Sequence, residues 1–319
     1  MYKKILLVIF VISISINSEK INFTSSNPFT FRDVIIDLDK QDKQEVYGIL
    51  KFPEENYFDK QYPLVIGVAG SIGWLDHHEE ALQLYRDLGI ATFELHSFDS
   101  RGVKSTVGEQ TKVTTAMMIL DSYKALDKLS EHPNIDSKRA ALTGWSLGGG
   151  TALLSGWNPL INAINPKERF AAHLAYYPPC VVEPENLSFT DAPVHILIGE
   201  IDDWTPASAC LSLVESAKKF KDNIEITIFE DAHHSFDSKI KLTKMDNGYS
   251  LTDCMFKLND DGTLLLDFMN FPMTSPYLQK IALAFCAKRG TTVEGNKSAK
   301  QEAHKISVLF MKKHLLDIK

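Results

Sequence analysis

The stretch Ala141-Leu142-Thr143-Gly144-Trp145-Ser146-Leu147-Gly148-Gly149-Gly150 decides how this chain is read. An apolar run from Ala140 to Leu142 stops at Gly144, and one serine then stands among four glycines. Glycine in ordered structure costs about 0.5–1 kcal/mol relative to alanine. Such a cluster implies backbone that passes where a Cβ atom would be blocked. "RAALTG" before the serine reads as a strand, and "GGGTALLSGW" after it as the start of a helix.

The same alternation extends in both directions. Upstream, "VIIDLD" and "VYGILKF" read as a strand pair, "YPLVIGVAG" and "IATFEL" as apolar strands, and "TTAMMILDSYKALDKLSEH" as a helix. "DHHEEALQLYRDLG" is also helical, with Asp76 as its cap and Glu79 completing a capping box. Downstream, "FAAHLAYYP", "APVHILIGE" and "IEITIFE" are strands. "PASACLSLVESAKKF" and the closing "SAKQEAHKISVLFMKKHLL" are helices. Strands that are apolar on both faces and separated by helices predict a mostly parallel sheet covered on both sides, an α/β fold. Turn signals in "DNG" and "NDDG" mark residues 238–275 as an irregular insertion within one domain spanning residues 19–319.

A strand, then G-x-S-x-G, then a helix is the setting of a nucleophile elbow. Ser146 is the candidate nucleophile. The helix that follows turns its N-terminal dipole toward the site, which favours negative charge there. A nucleophilic serine needs a base, and the base an orienting acid. In an elbow fold these follow in the order Ser, Asp or Glu, His, each beyond a strand. Asp202 in "ILIGEIDDWTP" and His234 in "ITIFEDAHHSF" meet that order. The N–H groups of Leu147 and Ser71, the latter in "GSIG", are the expected oxyanion donors. Trp145, Trp204 and Arg101 are candidates for contact with substrate, with His96 and Asp99 beside Arg101. Adjacent His77 and His78 point to different helix faces and read as a solvated helix start, so no metal site is expected.

Over most of its length the chain resembles the dienelactone hydrolase-like branch of the α/β-hydrolase superfamily. The resemblance rests on "GWSLGGG", "GEIDDWTP", "DAHHSFD" and "HSFDSRG". It implies an α/β-hydrolase fold and no cofactor. In that branch the acid is the fourth residue of G-x-x-D with a proline four further on, which selects Asp202 over Asp203. The base precedes a small residue and a phenylalanine, which selects His234 over His233. The name-giving enzymes carry cysteine at the elbow where this chain has Ser146, so lactone specificity does not transfer. Ala69 also stands where relatives often have histidine. The expected activity is hydrolysis of a carboxylic ester in a small acyl substrate. Serine peptidase and thioesterase activities use the same triad, and a non-catalytic binding protein on a hydrolase scaffold is the alternative outside enzymes.

Composition narrows the classes. The 319 residues carry a net charge of −7 and no basic cluster, which excludes a nucleic-acid binder held by phosphate contacts. "MYKK" followed by "ILLVIFVISISI" and the small residue Ser18 describes a secretory signal peptide over residues 1–18. The apolar run is short for a membrane span, with an uncleaved N-terminal anchor as the alternative. No second such run follows, so no stable membrane insertion is expected of the mature chain, which would be periplasmic or secreted. Export permits disulfides among Cys180, Cys210, Cys254 and Cys286. Cys180 follows one strand and Cys210 lies early in the helix after the next, so both reach the same edge of the sheet. Cys180–Cys210 and therefore Cys254–Cys286 are the expected pairs.

Overall fold

The computed structural model describes residues 18–54, 60–220 and 223–316. The expected signal peptide thus lies outside the described residues, apart from Ser18. The central sheet has eight strands: β1 (Ser18–Ser26), β2 (Lys43–Lys51), β3 (Tyr62–Val68), β4 (Ala91–Leu95), β5 (Ile135–Trp145), β6 (Ala172–Tyr176), β7 (Val194–Gly199) and β8 (Ile224–Phe229). Their order across the sheet is β1-β2-β4-β3-β5-β6-β7-β8. The strands from β3 and β4 through β8 run parallel to one another, while β2 lies antiparallel to both β1 and β4. Every residue of β3, β6 and β7 is buried. That is why these strands read as unbroken apolar runs rather than alternating ones.

Helices cover both faces of the sheet. Asp76–Asp87 packs with Lys297–Met311, and Thr115–Leu129 packs with the elbow helix Leu147–Leu154. The Thr114 hydroxyl caps its helix by accepting from the Met117 amide at 3.3 Å, one of the donors a helix N-terminus leaves unpaired.

Two local expectations are corrected. "VIIDLD" is not a strand. Thr30 and Asp33 form a reciprocal capping box, at 3.1 and 2.8 Å, that starts a short helix over Phe31–Ile35. Phe31 and Val34 are buried from that helix. The box satisfies two backbone donors at once and overrides the β-branched residues after it. The partner of β2 is β1, in register from Ser18 opposite Lys51 to Ser26 opposite Lys43. At the helix Asp76–Asp87, the Leu75 amide donates to Nδ1 of His78 at 3.2 Å. Glu79 instead engages Lys51 and Arg86, at 3.0 and 2.5 Å.

The late part of the chain holds regular structure where turn signals alone were legible. Strand Thr243–Ser250 pairs antiparallel with Lys288–Val293. Strands Phe256–Leu258, Leu264–Leu266 and Phe271–Pro272 make a small sheet that Val182–Pro184 joins in parallel. Helix Pro276–Cys286 follows. These pieces form a cap whose residues Tyr249, Phe256, Leu264, Met273 and Leu283 share a cavity wall with Ser71, Ser146 and Trp204.

Both disulfides join the expected partners, Cys180–Cys210 and Cys254–Cys286, with Cα separations of 4.9 and 5.0 Å. The first ties the segment after β6 to helix Ala207–Lys218. The second ties the cap's strands to its helix.

Candidate active site

The glycines around Ser146 have a steric explanation. β5 ends at Trp145, the elbow helix begins at Leu147, and Ser146 between them has φ 56° and ψ −115°. A non-glycine residue held there carries strain on the order of 1–3 kcal/mol, which the surroundings must enforce. A Cβ on Gly144 would lie 2.1 Å from the carbonyl oxygen of Gly148. One on Gly148 would lie 2.1 Å from that of Val68, and one on Gly149 2.3 Å from that of Tyr176. Backbone thus packs on backbone from β3, β5 and β6 around Ser146.

Three side chains converge. Nε2 of His234 lies 2.9 Å from Oγ of Ser146, and Nδ1 of His234 lies 2.7 Å from Oδ2 of Asp202. These distances are within reach for proton transfer. Asp202 and His234 are buried, and Ser146 is partly open. Asp202 sits in the loop after β7, where its Oδ1 accepts the amides of Trp204 and Thr205 at 2.9 and 2.8 Å. Those bonds fix the carboxylate so that Oδ2 faces the imidazole. The ring of His234 lies between Tyr177 and Trp204, at centroid distances of 4.6 and 5.0 Å.

The neighbouring acid and histidine do other work. Asp203 turns away, accepting from the amide and hydroxyl of Thr292 at 2.7 and 2.9 Å, and so anchors strand Lys288–Val293. Nδ1 of His233 is buried with no hydrogen-bond partner among the described residues.

The other site candidates divide. Leu147 and Ser71 flank Ser146 in the wall of a cavity. Neither backbone N–H has a backbone partner among the described residues. Trp204 lines the same cavity. Trp145 does not. It is fully buried beneath the elbow, where its indole N–H donates to Oδ2 of Asp237 at 3.0 Å. Arg101 also fails to reach that cavity. Its guanidinium grips Asp121 twice, at 2.7 and 3.1 Å, and donates to Asn27 and to the carbonyls of Ser26 and Ser97. It is a structural tie between β1 and the loop after β4. His96 and Asp99 pair with each other at 2.7 Å. His77 and His78 are buried rather than solvated, with rings 4.2 Å apart and His78 stacked on Trp145 at 4.5 Å. Burial pushes both imidazoles below the usual range, His78 well below. No cluster among the described residues has the makings of a metal site.

The cavity beside Ser146 has a volume of about 160 Å³. A second compartment of about 30 Å³ touches Ser146, Ser71 and His234 from the other side. The larger one was not legible in the sequence. Its walls come from Phe29 and Phe31, from Gln110, and from Leu264, Met273 and Leu283 of the cap. The Gln110 side chain donates to the Ser71 hydroxyl at 3.2 Å, and the Gln110 carbonyl accepts from Gln279 at 2.9 Å. The cap is therefore linked to the segment expected to hold the oxyanion.

A sheet in this order, with a strained serine between strand and helix at its centre, is the α/β-hydrolase fold. The sequence profile of the dienelactone hydrolase family matches residues 91–249, a span that holds Ser146, Asp202 and His234. Three solved structures are similar over nearly their whole length. A protein from Klebsiella pneumoniae assigned as a dienelactone hydrolase shares 15% identity at a TM-score of 0.56, covering 92% of this chain and 99% of its own. The protein m3DLH shares 15% at 0.59, covering 94% and 99%. A dienelactone hydrolase-like promiscuous phosphotriesterase from metagenomic libraries shares 14% at 0.54, covering 93% and 99%. At these identities the likeness is one of fold. No curated protein matches the chain in sequence.

Proposed function

We propose that this hydrolase-family chain is a serine hydrolase that cleaves carboxylic esters through an acyl-enzyme. The observation that carries the reading is the continuous hydrogen-bonded line from Ser146 Oγ through His234 to Asp202, at 2.9 and 2.7 Å. Nε2 of His234 takes the hydroxyl proton as Oγ attacks the acyl carbon. Oδ2 of Asp202 accepts the Nδ1–H bond, which fixes the tautomer and stabilises the imidazolium. The Leu147 and Ser71 amides receive the developing oxyanion, and losing one such donor costs about 3–4 kcal/mol of barrier. The imidazolium returns its proton to the departing alcohol. Water then attacks the acyl carbon as His234 takes its proton, which releases the acid and restores Ser146. The compartment of about 30 Å³ beside His234 is large enough for that water.

Esters are favoured over peptides by the cavity's lining, which offers no charged side chain to hold a peptide terminus. Two disulfides with no free cysteine fit an oxidising, exported environment, and residues 1–18 fit the signal that would deliver the chain there. Among the described residues no helix is long and apolar enough to cross a membrane. The test is a fluorophosphonate probe on the purified protein. Labelling should map to Ser146, and Ser146→Ala should abolish both labelling and turnover of simple aryl esters. Full turnover in that variant would refute the triad.

A further inference from the structure

We infer that the substrate presents an uncharged apolar group, about the bulk of a six-carbon chain or ring, on one side of its scissile ester. This inference rests on the esterase reading above and names what that site selects. The chamber beside Ser146 measures about 160 Å³. An apolar cavity of about 150 Å³ stays dry and holds a benzene molecule. None of the residues that line this one is Asp, Glu, Lys, Arg or His.

Several polar groups in the wall are engaged by the protein itself. The Thr114 hydroxyl donates to the Pro28 carbonyl at 3.3 Å, the Gln110 amide to Ser71 at 3.2 Å, and the Gln279 amide to the Gln110 carbonyl at 2.9 Å. The Tyr249 hydroxyl accepts from Arg289 at 2.6 Å. Arg289 stacks on the ring of Tyr249 at 3.7 Å, outside the lining, and its other bonds go to the carbonyls of Gly108 and Asn247. Phe31, Leu264, Met273 and Leu283 supply apolar surface from two distant parts of the chain. A carboxylate entering the chamber would lose its water and find no cation, whereas a methylene would gain burial. The chamber is thus selective in two ways, by size and against charge.

The experiment uses residues 19–319 and two series of neutral aryl esters. In one the acyl group grows from two to twelve carbons with a fixed leaving group. In the other the alcohol grows with a fixed acetyl group. In one series, kcat/KM should rise about two- to fourfold per methylene up to about six carbons and fall beyond about eight. The responsive series identifies which side of the ester the chamber holds. A six-carbon group ending in a carboxylate, placed on that side, should react at least about 100-fold more slowly than its neutral match. Leu264→Arg should narrow that gap by about tenfold or more. Should Leu264→Arg fail to fold, the length series and the charged pair on the wild type decide the matter. Flat responses in both series, or equal rates for charged and neutral esters, would overturn the chamber's role while leaving the triad standing. Absence of turnover and of probe labelling would overturn the esterase reading, and this inference with it.

Discussion

The hydroxyl of Tyr177 donates to Oδ1 of Asp237 at 2.8 Å, in surroundings from which solvent is excluded. The other carboxylate oxygen accepts from Trp145, the residue before Ser146, while the Tyr177 ring packs on His234. One carboxylate therefore braces the residues behind Ser146 and beside His234. An amide at this position has one accepting oxygen for two donors. Asp237→Asn should lower stability by about 1–3 kcal/mol through the donor left unpaired. It should also lower kcat by about 10- to 100-fold through misplacement of the reacting groups. Denaturant unfolding and steady-state kinetics check both, and wild-type values in each would show that Asp237 braces nothing.

The histidine pair gives a sharper contrast. His234→Ala should cost about 100- to 10,000-fold in rate, the range for removing a general base. His233→Ala should change kcat/KM by less than about threefold, because His233 has no bond to Ser146 or Asp202. Comparable losses in the two variants would contradict the geometry.

Gly148 is held by contact rather than by torsion. A Cβ there meets the carbonyl oxygens of Val68 and Ala69 at 2.1 and 2.6 Å. Gly148→Ala should destabilise by about 3 kcal/mol or more, as overpacking against rigid backbone does. Gly102 has φ 64° and nothing within 4 Å of an added Cβ, so Gly102→Ala should cost only about 1–2 kcal/mol, the left-handed strain alone. Urea midpoints for the two variants give the comparison.

Acid should weaken the fold in a defined window. Burial lowers the His173 imidazole to about 4, although the Ala152 carbonyl accepts from it at 3.0 Å. A group with a depressed folded pKa keeps the unfolded chain richer in protons between that value and its usual 6.5. Its stabilising effect is complete above pH 6.5 and is lost as pH falls toward 4. By pH 5 this one residue should account for roughly 2 kcal/mol. Burial drives His77 and His78 in the same direction. His173→Gln should flatten the decline in unfolding free energy between pH 7 and pH 5, and an unchanged slope would assign the loss elsewhere.

The cap's disulfide offers a last test. Cys254 and Cys286 are separated by 32 residues in sequence, and closing a loop of that size is worth about 2–4 kcal/mol in a chain-entropy accounting. The double variant Cys254→Ser/Cys286→Ser should be less stable by that amount. A variant as stable as the wild type would show that the cap holds without its staple.

Much of the candidate site is legible in the sequence because each part of it is local. Ser146 announces itself through glycines within four residues, and Asp202 and His234 each follow a strand at a short distance. The sheet was legible where strands are buried on both faces, as in β3 and β7. β1 was missed because "SEKINFTSS" is a polar edge strand, recognisable only once β2 lies beside it. The helix at Phe31 is not legible because its β-branched residues favour a strand, and the capping box at Thr30 and Asp33 overrides that preference. His77 and His78 were misread because their burial depends on Trp145 and Tyr177, both distant in sequence. The chamber leaves no local signal at all. Phe31, Gln110, Leu264 and Leu283 have no common spacing, and only folding brings them around Ser146.

The elbow and the chamber differ in how they would tolerate substitution. At Gly144, Gly148 and Gly149 the obstructing atoms are backbone oxygens of neighbouring strands and of the elbow itself, and no exchange of side chains elsewhere can clear them. Around the chamber the obstructing atoms are side chains, carried in part by a cap that adds no strand to the central sheet. On the proposed reading, reactivity is therefore written in a part of the molecule that cannot be edited piecemeal, and selectivity in one that can. Replacing Leu264, Met273 or Leu283 recuts the mould without touching the die. A saturation library over both regions should show the division directly, with the glycines intolerant for every substrate and the chamber residues exchanging one ester for another.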